Sequence, residues 1–145
     1  MGYTHSWTLK VADRDLFKKA SDTFKEMMAK IPSYELPELC NGVGKETPII
    51  KDDIIVFNGS EAKGENYETC GLQWEDTEYN FCKTAEKPYS PVVCLLLLCF
   101  ESVYGDKIDV WTDGYRNTNQ NHHISEDWRV AYDWWYRYHD VKNKK

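Results

Sequence analysis

Nine consecutive apolar residues, VVCLLLLCF from position 92 to position 100, must be shielded from water on every side if they form a helix. Ser90 and Pro91 before the run are typical of a helix start with Ser90 as the capping residue, and Gly105 is typical of a helix end. The run has about half of the roughly 20 residues that cross a bilayer. It therefore predicts a helix at the centre of a core, between a sheet and other helices, and no membrane segment.

The patterns on either side of this run predict one α+β domain over residues 1–145, with residues 142–145 as a frayed basic tail. The other predicted elements are, in chain order, a strand at 3–9, a helix capped by Asp13 and ending at Ile31, strands near 54–57, 67–74 and 79–83, a strand at 107–112, and a helix that opens at Ser125. The three middle strands are expected to form an antiparallel meander. The order β-α-β-β-β-α-β-α predicts a mainly antiparallel or mixed sheet with helices mostly on one face.

The composition argues against several classes of function. A formal charge of −6 disfavours general nucleic-acid binding, which needs clustered Lys and Arg against the phosphates. Five cysteines without a C-x-x-C pair fit a reducing compartment, and the first residues carry no secretion pattern, so we expect a cytoplasmic protein, in the host cytoplasm if it is viral. The adjacent His122 and His123 have no second ligand pair at zinc spacing. Neither a metal nor a cofactor is therefore expected.

Several short segments carry a resemblance to a known family. They are GYTHSW at 2–7, FCKTAEKPY at 81–89, Asp113-Gly114, Phe57-Asn58-Gly59 and Glu68-Thr69. The chain resembles an uncharacterised family of small bacterial and phage proteins whose start reads approximately GYTHYW and whose centre reads approximately FCKTARKPYD. The resemblance implies a shared fold and a shared site, but no particular reaction.

Two positions depart from that family pattern. Ser90 stands where the pattern has Asp, and both residues are good helix N-caps. Glu86 stands where the pattern has Arg, which reverses a charge. The sequence leaves open whether this reversal abolishes an anion contact that the family makes through that position.

The segment from Lys83 to Tyr89 suggests a ligand site. It precedes the start of the central helix, where unsatisfied N–H groups and a partial positive charge favour a phosphate or carboxylate. The predicted ligand-binding residues are Tyr3, His5, Asn58, Glu68, Lys83, Thr84, Lys87, Tyr89 and Asp113. Their mixture of donors, acceptors and a titratable ring predicts that the partner is an anionic small molecule, phosphorylated or nucleotide-like. Sequestration of a signalling nucleotide by a phage-type protein is the functional hypothesis.

Two other classes of function remain open. Cys82 or His5 is a candidate catalytic residue of a small hydrolase or transferase, because lysines and a helix end lower the pKa of a thiol and His5 on a neighbouring strand would supply a base. The structural alternative is that Cys82 packs in the core and that His5 is hydrogen-bonded within an aromatic row. A module that binds a host protein through aromatic surface is the third class. None of these patterns predicts an oligomeric state.

Overall fold

The computed structural model describes residues 3–116 and 124–139 and has an α+β fold. The helices are α1 (Arg14–Lys30), α2 (Ser90–Tyr104) and α3 (Glu126–Tyr138). The strands are β1 (Thr4–Leu9), β2 (Leu39–Cys40), β3 (Ile49–Ile50), β4 (Ile54–Gly59), β5 (Cys70–Gln73), β6 (Tyr79–Lys83) and β7 (Ile108–Thr112). The predicted order of the main elements is confirmed. The structure adds the strands β2 and β3, which have two residues each. Two residues are too few to show an alternating pattern in the sequence. The adjacent His122 and His123 and the predicted tail at 142–145 lie outside the described residues.

The strands form two antiparallel sheets. One has the order β6-β1-β7, so the first strand of the chain is its central strand. In the other, β4 pairs with β2, β3 and β5. The predicted meander is correct for β4 and β5 but wrong for β6, which pairs with β1 instead. Alternation along β6 showed which side chains face inward, but strand pairing depends on distant residues that a local pattern does not specify.

Helix α1 forms as its sequence predicts. The Asp13 carboxylate accepts a hydrogen bond from the Leu16 N–H at 3.0 Å and so caps the first turn. Phe17, Phe24 and Met27 lie on its buried face. Phe24 stacks on Phe57 of β4 with ring centroids 6.1 Å apart, which joins the helix to the second sheet.

Helix α2 is the centre of the core. Every residue from 92 to 100 is buried, and the helix contacts α1, α3, β1 and β7. Gly105 ends the helix with φ +60°, as its position predicted. The prediction that Ser90 caps the helix is wrong, because Tyr89 is the N-cap and Ser90 is the first helical residue. Within the described part of the chain, no helix is long and apolar enough to span a membrane.

Candidate functional site

His5 lies on the inner face of β1 and is fully buried. Its Nδ1 is 2.9 Å from the Thr112 hydroxyl, and its Nε2 is 3.0 Å from the Ser90 hydroxyl. Burial is the main reason that its pKa is lowered to about 4, with Arg116 lowering it further and Asp113 acting in the opposite direction. The imidazole is therefore neutral at neutral pH.

The hydrogen bonds around Thr112 identify the tautomer of His5. The Thr112 oxygen accepts from the Trp128 indole N–H at 3.1 Å and from the Gly114 N–H at 3.0 Å. Since a hydroxyl oxygen has two lone pairs, both are occupied, and its hydrogen is directed to Nδ1 of His5. The proton of the ring then resides on Nε2, which donates to Ser90.

Ser90 joins His5 to a buried carboxylate. Its hydroxyl donates to Asp127 at 2.5 Å and accepts from the Thr84 hydroxyl at 2.8 Å as well as from His5. Ser90 and Thr84 are fully buried, and Asp127 is 8% exposed. Burial raises the pKa of Asp127 above its ordinary value, while the Ser90 hydrogen bond partly opposes that change. The network thus holds one oxygen of Asp127 in a defined position.

Asp127 forms part of a cleft between α3 and the turn that leads into α2. The cleft has a volume of about 190 Å³ and is lined by Tyr3, Glu86, Ser125, Glu126 and Asp127. Burial raises the pKa of the Tyr3 phenol to about 12, although a hydrogen bond with Ser125 lowers it. Three carboxylates and two neutral hydroxyls therefore surround this space, which makes it a site for hydrogen-bond donors and positive charge.

The turn between β6 and α2 places Glu86 at the cleft. Ala85 and Glu86 adopt left-handed backbone angles, with φ of 50° and 56°. This conformation is uncommon for residues other than glycine. It is accompanied by hydrogen bonds from Lys87 N–H to Thr84 C=O at 2.9 Å and from Ser90 N–H to Lys87 C=O at 2.8 Å. These backbone donors are used within the turn and do not form a cradle for an anion.

The two lysines predicted to hold an anion point to different places. Lys83 is exposed beside Phe81, with its ammonium 6.0 Å from the ring centroid. The Lys87 ammonium donates to the Gly64 carbonyl at 3.2 Å, in the loop after β4. The described structure therefore does not bring the two ammonium groups together around one ligand.

Cys82 and Tyr89 belong to a separate buried cluster. The Cys82 thiol donates to the Glu68 carbonyl at 3.4 Å, and the Tyr89 hydroxyl donates to the same carbonyl at 2.5 Å. Strands β1 and β6 are neighbours, with His5 opposite Cys82, as the catalytic hypothesis required. However, the nitrogens of His5 contact Thr112 and Ser90, and its thiol neighbour is Cys94 at 3.6 Å. The geometry favours the structural alternative for Cys82.

The remaining predicted ligand-binding residues stabilise local structure. The Asn58 amide is buried and bonds both the N–H and the C=O of Tyr67, at 3.0 Å each, which closes the loop after β4. Asp113 accepts from the Thr4 N–H at 3.0 Å and joins the ends of β7 and β1. The Glu68 carboxylate accepts from the Lys83 N–H at 2.9 Å beside β6. Among the predicted residues, Tyr3 lines the cleft, and His5 and Thr84 belong to the network beneath it.

Sequence reasoning missed the side chains that make the cleft acidic. Glu126 and Asp127 are readable as first-turn residues of a helix, where carboxylates are favoured by the helix dipole. Nothing in that signal indicates that Asp127 contacts Ser90, which is 37 positions away in the chain. Among residues 3–116 and 124–139, no group of three His, Cys, Asp or Glu side chains is arranged to hold a metal ion.

Comparison of the chain with protein-family models, with curated proteins and with solved structures finds no match. The function of the cleft is therefore inferred from its own contacts. These are a buried carboxylate held by Ser90, a second carboxylate on a left-handed turn, and two hydroxyls at the rim.

Proposed function

We propose that this protein binds a small organic cation, an amine or a guanidinium compound, in the cleft between the β6–α2 turn and the start of α3. The observation that carries the proposal is the position of Asp127, whose buried carboxylate lines the cleft while Ser90 donates to it. The proposal keeps the small-molecule binding predicted from sequence. It reverses the charge of the ligand, since Glu86 stands at the position where the resembling family has Arg.

Electrostatics support a positively charged ligand. Burial of Asp127 penalises its ionised form, and a cation in the cleft would offset that penalty. Glu86 adds a second negative charge at the rim. Glu126 contributes less, because Arg129 already donates to it at 2.6 and 3.0 Å. The Tyr3 and Ser125 hydroxyls are further hydrogen-bonding partners for the ligand.

The size of the cleft limits the ligand. Its volume of about 190 Å³ is below the roughly 300–1,000 Å³ of sites that hold drug-sized molecules. A short diamine or an alkyl guanidine is therefore a better match than a complete nucleotide. Putrescine and agmatine are suitable probes, and inorganic phosphate and AMP represent the anionic class.

Calorimetric titration and thermal unfolding with these four probes test the proposal. We expect putrescine or agmatine to bind and to raise the free energy of unfolding by about 2.7 kcal/mol at 100 times its Kd. Asp127→Asn should abolish binding, because it removes the charge while keeping an oxygen for Ser90. Asp133→Asn is the matched control, because Asp133 is an exposed carboxylate of the same helix that does not line the cleft, and it should leave the affinity unchanged. Binding of AMP or phosphate without binding of either cation would refute the proposal.

The affinity for the cation should also depend on pH. The ligand requires ionised Asp127, and burial raises the pKa of this carboxyl. Affinity should therefore weaken as the pH is lowered, and it should begin to do so at a higher pH than the protonation of an ordinary aspartate, whose pKa is about 3.9, would require. Titration of Asp133→Asn, which lies outside the cleft, should show the same pH dependence, and a flat profile in the parent protein would contradict the role of Asp127.

A further inference from the structure

The face of the β6-β1-β7 sheet that points away from the helices carries three exposed aromatic side chains. Trp111 of β7 is 61% exposed, and Tyr79 and Phe81 of β6 are 63% and 48% exposed. We call this surface the outer face; its other members are Thr4, Ser6, Thr8, Lys83, Asp109 and Asp113. Exposed aromatic clusters of this kind are typical of interaction surfaces rather than of ordinary solvent-facing sheet.

The strand register arranges the outer face in rows across the sheet. Phe81 and Trp111 both lie opposite Ser6 of the central strand. Ser6, which lies between them on this face, is only 1% exposed. Phe81 and Trp111 therefore lie in one row across the middle of the sheet, on either side of Ser6, and we call this row the aromatic strip.

Charged residues of opposite sign occupy the next row. Lys83 lies opposite Thr4 on one side, and Asp113 lies beside Thr4 on the other, where its N–H donates to the Thr4 carbonyl at 2.9 Å. Both side chains are exposed. At the other end of the sheet, Asp109 is already paired with Lys10 at 3.2 Å. The outer face thus has a positive group on one edge and a negative group on the other edge, both at the level of Thr4 along the strands.

We propose that the outer face binds the outer face of a second copy of this chain, with the two-fold axis parallel to β1. This arrangement places β6 of each copy opposite β7 of the other copy across the interface. It places Phe81 over Trp111 of the second copy and Lys83 over Asp113 of the second copy, and each pair occurs twice. Two sheets that pack face to face with nearly aligned strands are a common arrangement, and such an isologous contact closes into a dimer.

Charge complementarity favours a second copy over an unrelated partner. A partner surface with charges of only one sign would attract either Lys83 or Asp113 and would repel the other. The two-fold arrangement satisfies both, and it removes the aromatic strip from water on both copies. Tyr and Trp are the residue types that most often dominate the energy of such interfaces.

Sedimentation equilibrium tests the dimer through its aromatic strip. We expect the parent protein to form a dimer at micromolar concentration, and Trp111→Thr to raise the dimer Kd by at least about 30-fold, the effect of an interface residue worth about 2 kcal/mol. Tyr34→Thr is the matched control, since Tyr34 is 85% exposed outside this sheet. A parent protein that stays monomeric up to about 100 µM would overturn the proposal.

Charge reversal tests the two-fold geometry itself. Lys83→Glu and Asp113→Lys should each raise the dimer Kd by about tenfold, because each places like charges opposite one another twice. An equimolar mixture of the two variants should associate as the parent does, since both contacts in the mixed dimer are then between opposite charges. Lys19→Glu on α1 is the control and should have no effect.

Circular dichroism and melting curves check that these variants fold, because Asp113 also accepts from the Thr4 N–H. If Asp113→Lys does not fold, Lys83→Glu alone decides, and an unchanged Kd in that variant overturns the proposal. Failure of the mixture of folded variants to restore association overturns it as well. The cleft is not involved in this face, so these outcomes are independent of cation binding.

Discussion

His5 is a hydrogen-bonded core residue by every contact that the structure describes. Its two nitrogens meet the hydroxyls of Thr112 and Ser90, and its ring lies edge-on to Tyr3 and Trp128, with centroids 5.2 and 5.8 Å away. These contacts favour the structural alternative over direct ligand contact. His5 supports the cleft indirectly, because Ser90 connects it to Asp127.

Stability should reveal the burial of His5 through its pH dependence. The pKa of His5 is about 4 in the fold, against about 6.5 in an unfolded chain, so only the unfolded state takes up this proton between those values. The stability from the neutral ring is present above about pH 6.5 and is lost towards pH 4, by about 3 kcal/mol in total. His5→Gln, which lacks this titration, should be less stable than the parent at pH 7.5 by about 1–3 kcal/mol. Urea unfolding should show that this difference shrinks at pH 4.5; a constant difference would contradict the buried neutral ring.

Gly114 should be sensitive to substitution because of space rather than backbone conformation. A Cβ at this position would collide with the Tyr3 hydroxyl and would lie 3.0 Å from the Ser125 hydroxyl. Gly114→Ala should therefore lower the free energy of unfolding by about 1–3 kcal/mol and displace Tyr3 from the rim of the cleft. Gly71→Ala is the control, since the nearest atoms there are 4.0 Å away. Equal urea midpoints for the two variants would show that the collision is relieved without cost.

Helix α3 is held in place by side chains from elsewhere in the chain. Arg116 donates to Glu101 of α2 at 2.6 and 3.0 Å and to the Tyr132 hydroxyl of α3, and its guanidinium lies 4.2 Å from the centroid of the Trp128 ring. At the other end of the helix, Glu35 accepts from Arg137 and Trp134 at 2.6 and 3.2 Å. A 13-residue helix is marginal by itself, so these contacts position the wall of the cleft.

Replacement of Arg116 by Lys should loosen α3. Lysine keeps the charge but loses the two-point contact with Glu101 and the planar contact with Trp128. We expect a loss of about 1–3 kcal/mol in the free energy of unfolding, because hydrogen bonds to charged groups at a partly buried site are removed. Arg129→Lys loses the two-point geometry of an exposed pair with Glu126 on the same helix and should cost about 0.5 kcal/mol or less. Chemical unfolding of both variants gives the comparison, and similar losses would contradict a special role for Arg116.

The two sheets share one hydrophobic core. Ile55 and Phe57 of the second sheet and Trp7 of the first belong to the same buried cluster, which surrounds α2. Because the sheets have no separate cores, we expect them to unfold together as one cooperative unit. The cluster contains the cysteines at positions 70, 82, 94 and 99, and Cys40 is buried outside it; none of the five is in a disulfide.

Thiol accessibility should therefore report on the whole fold. Burial raises the pKa values of Cys40, Cys70, Cys94 and Cys99, and the thiolate is the form that reacts with a disulfide reagent. Native protein should react slowly with the disulfide reagent at all five thiols. Protein unfolded in concentrated urea should react rapidly at all five. A rapid native reaction that disappears in Cys82→Ser would instead favour the catalytic hypothesis for that residue.

Much of the fold was predictable because its causes are local. The apolar run at 92–100 allows no exposed face, Asp13 caps α1 through a residue three positions away, and Gly105 provides a backbone angle that ends α2. Each of these effects depends on neighbouring residues in the chain. The α+β class and the order of the main elements follow from such patterns.

The cleft was not predictable, because its causes join residues that are distant in sequence. Ser90 has the local pattern of a helix cap, but in the fold its hydroxyl donates to Asp127. Strand β6 pairs with β1 and not with β5, which precedes it in the chain. Only these tertiary contacts place Glu86 and Asp127 on one cleft and make it acidic. Hydrogen-bond partners and local charge are selected by packing in three dimensions, and the alternation or spacing of residues along a chain does not encode them.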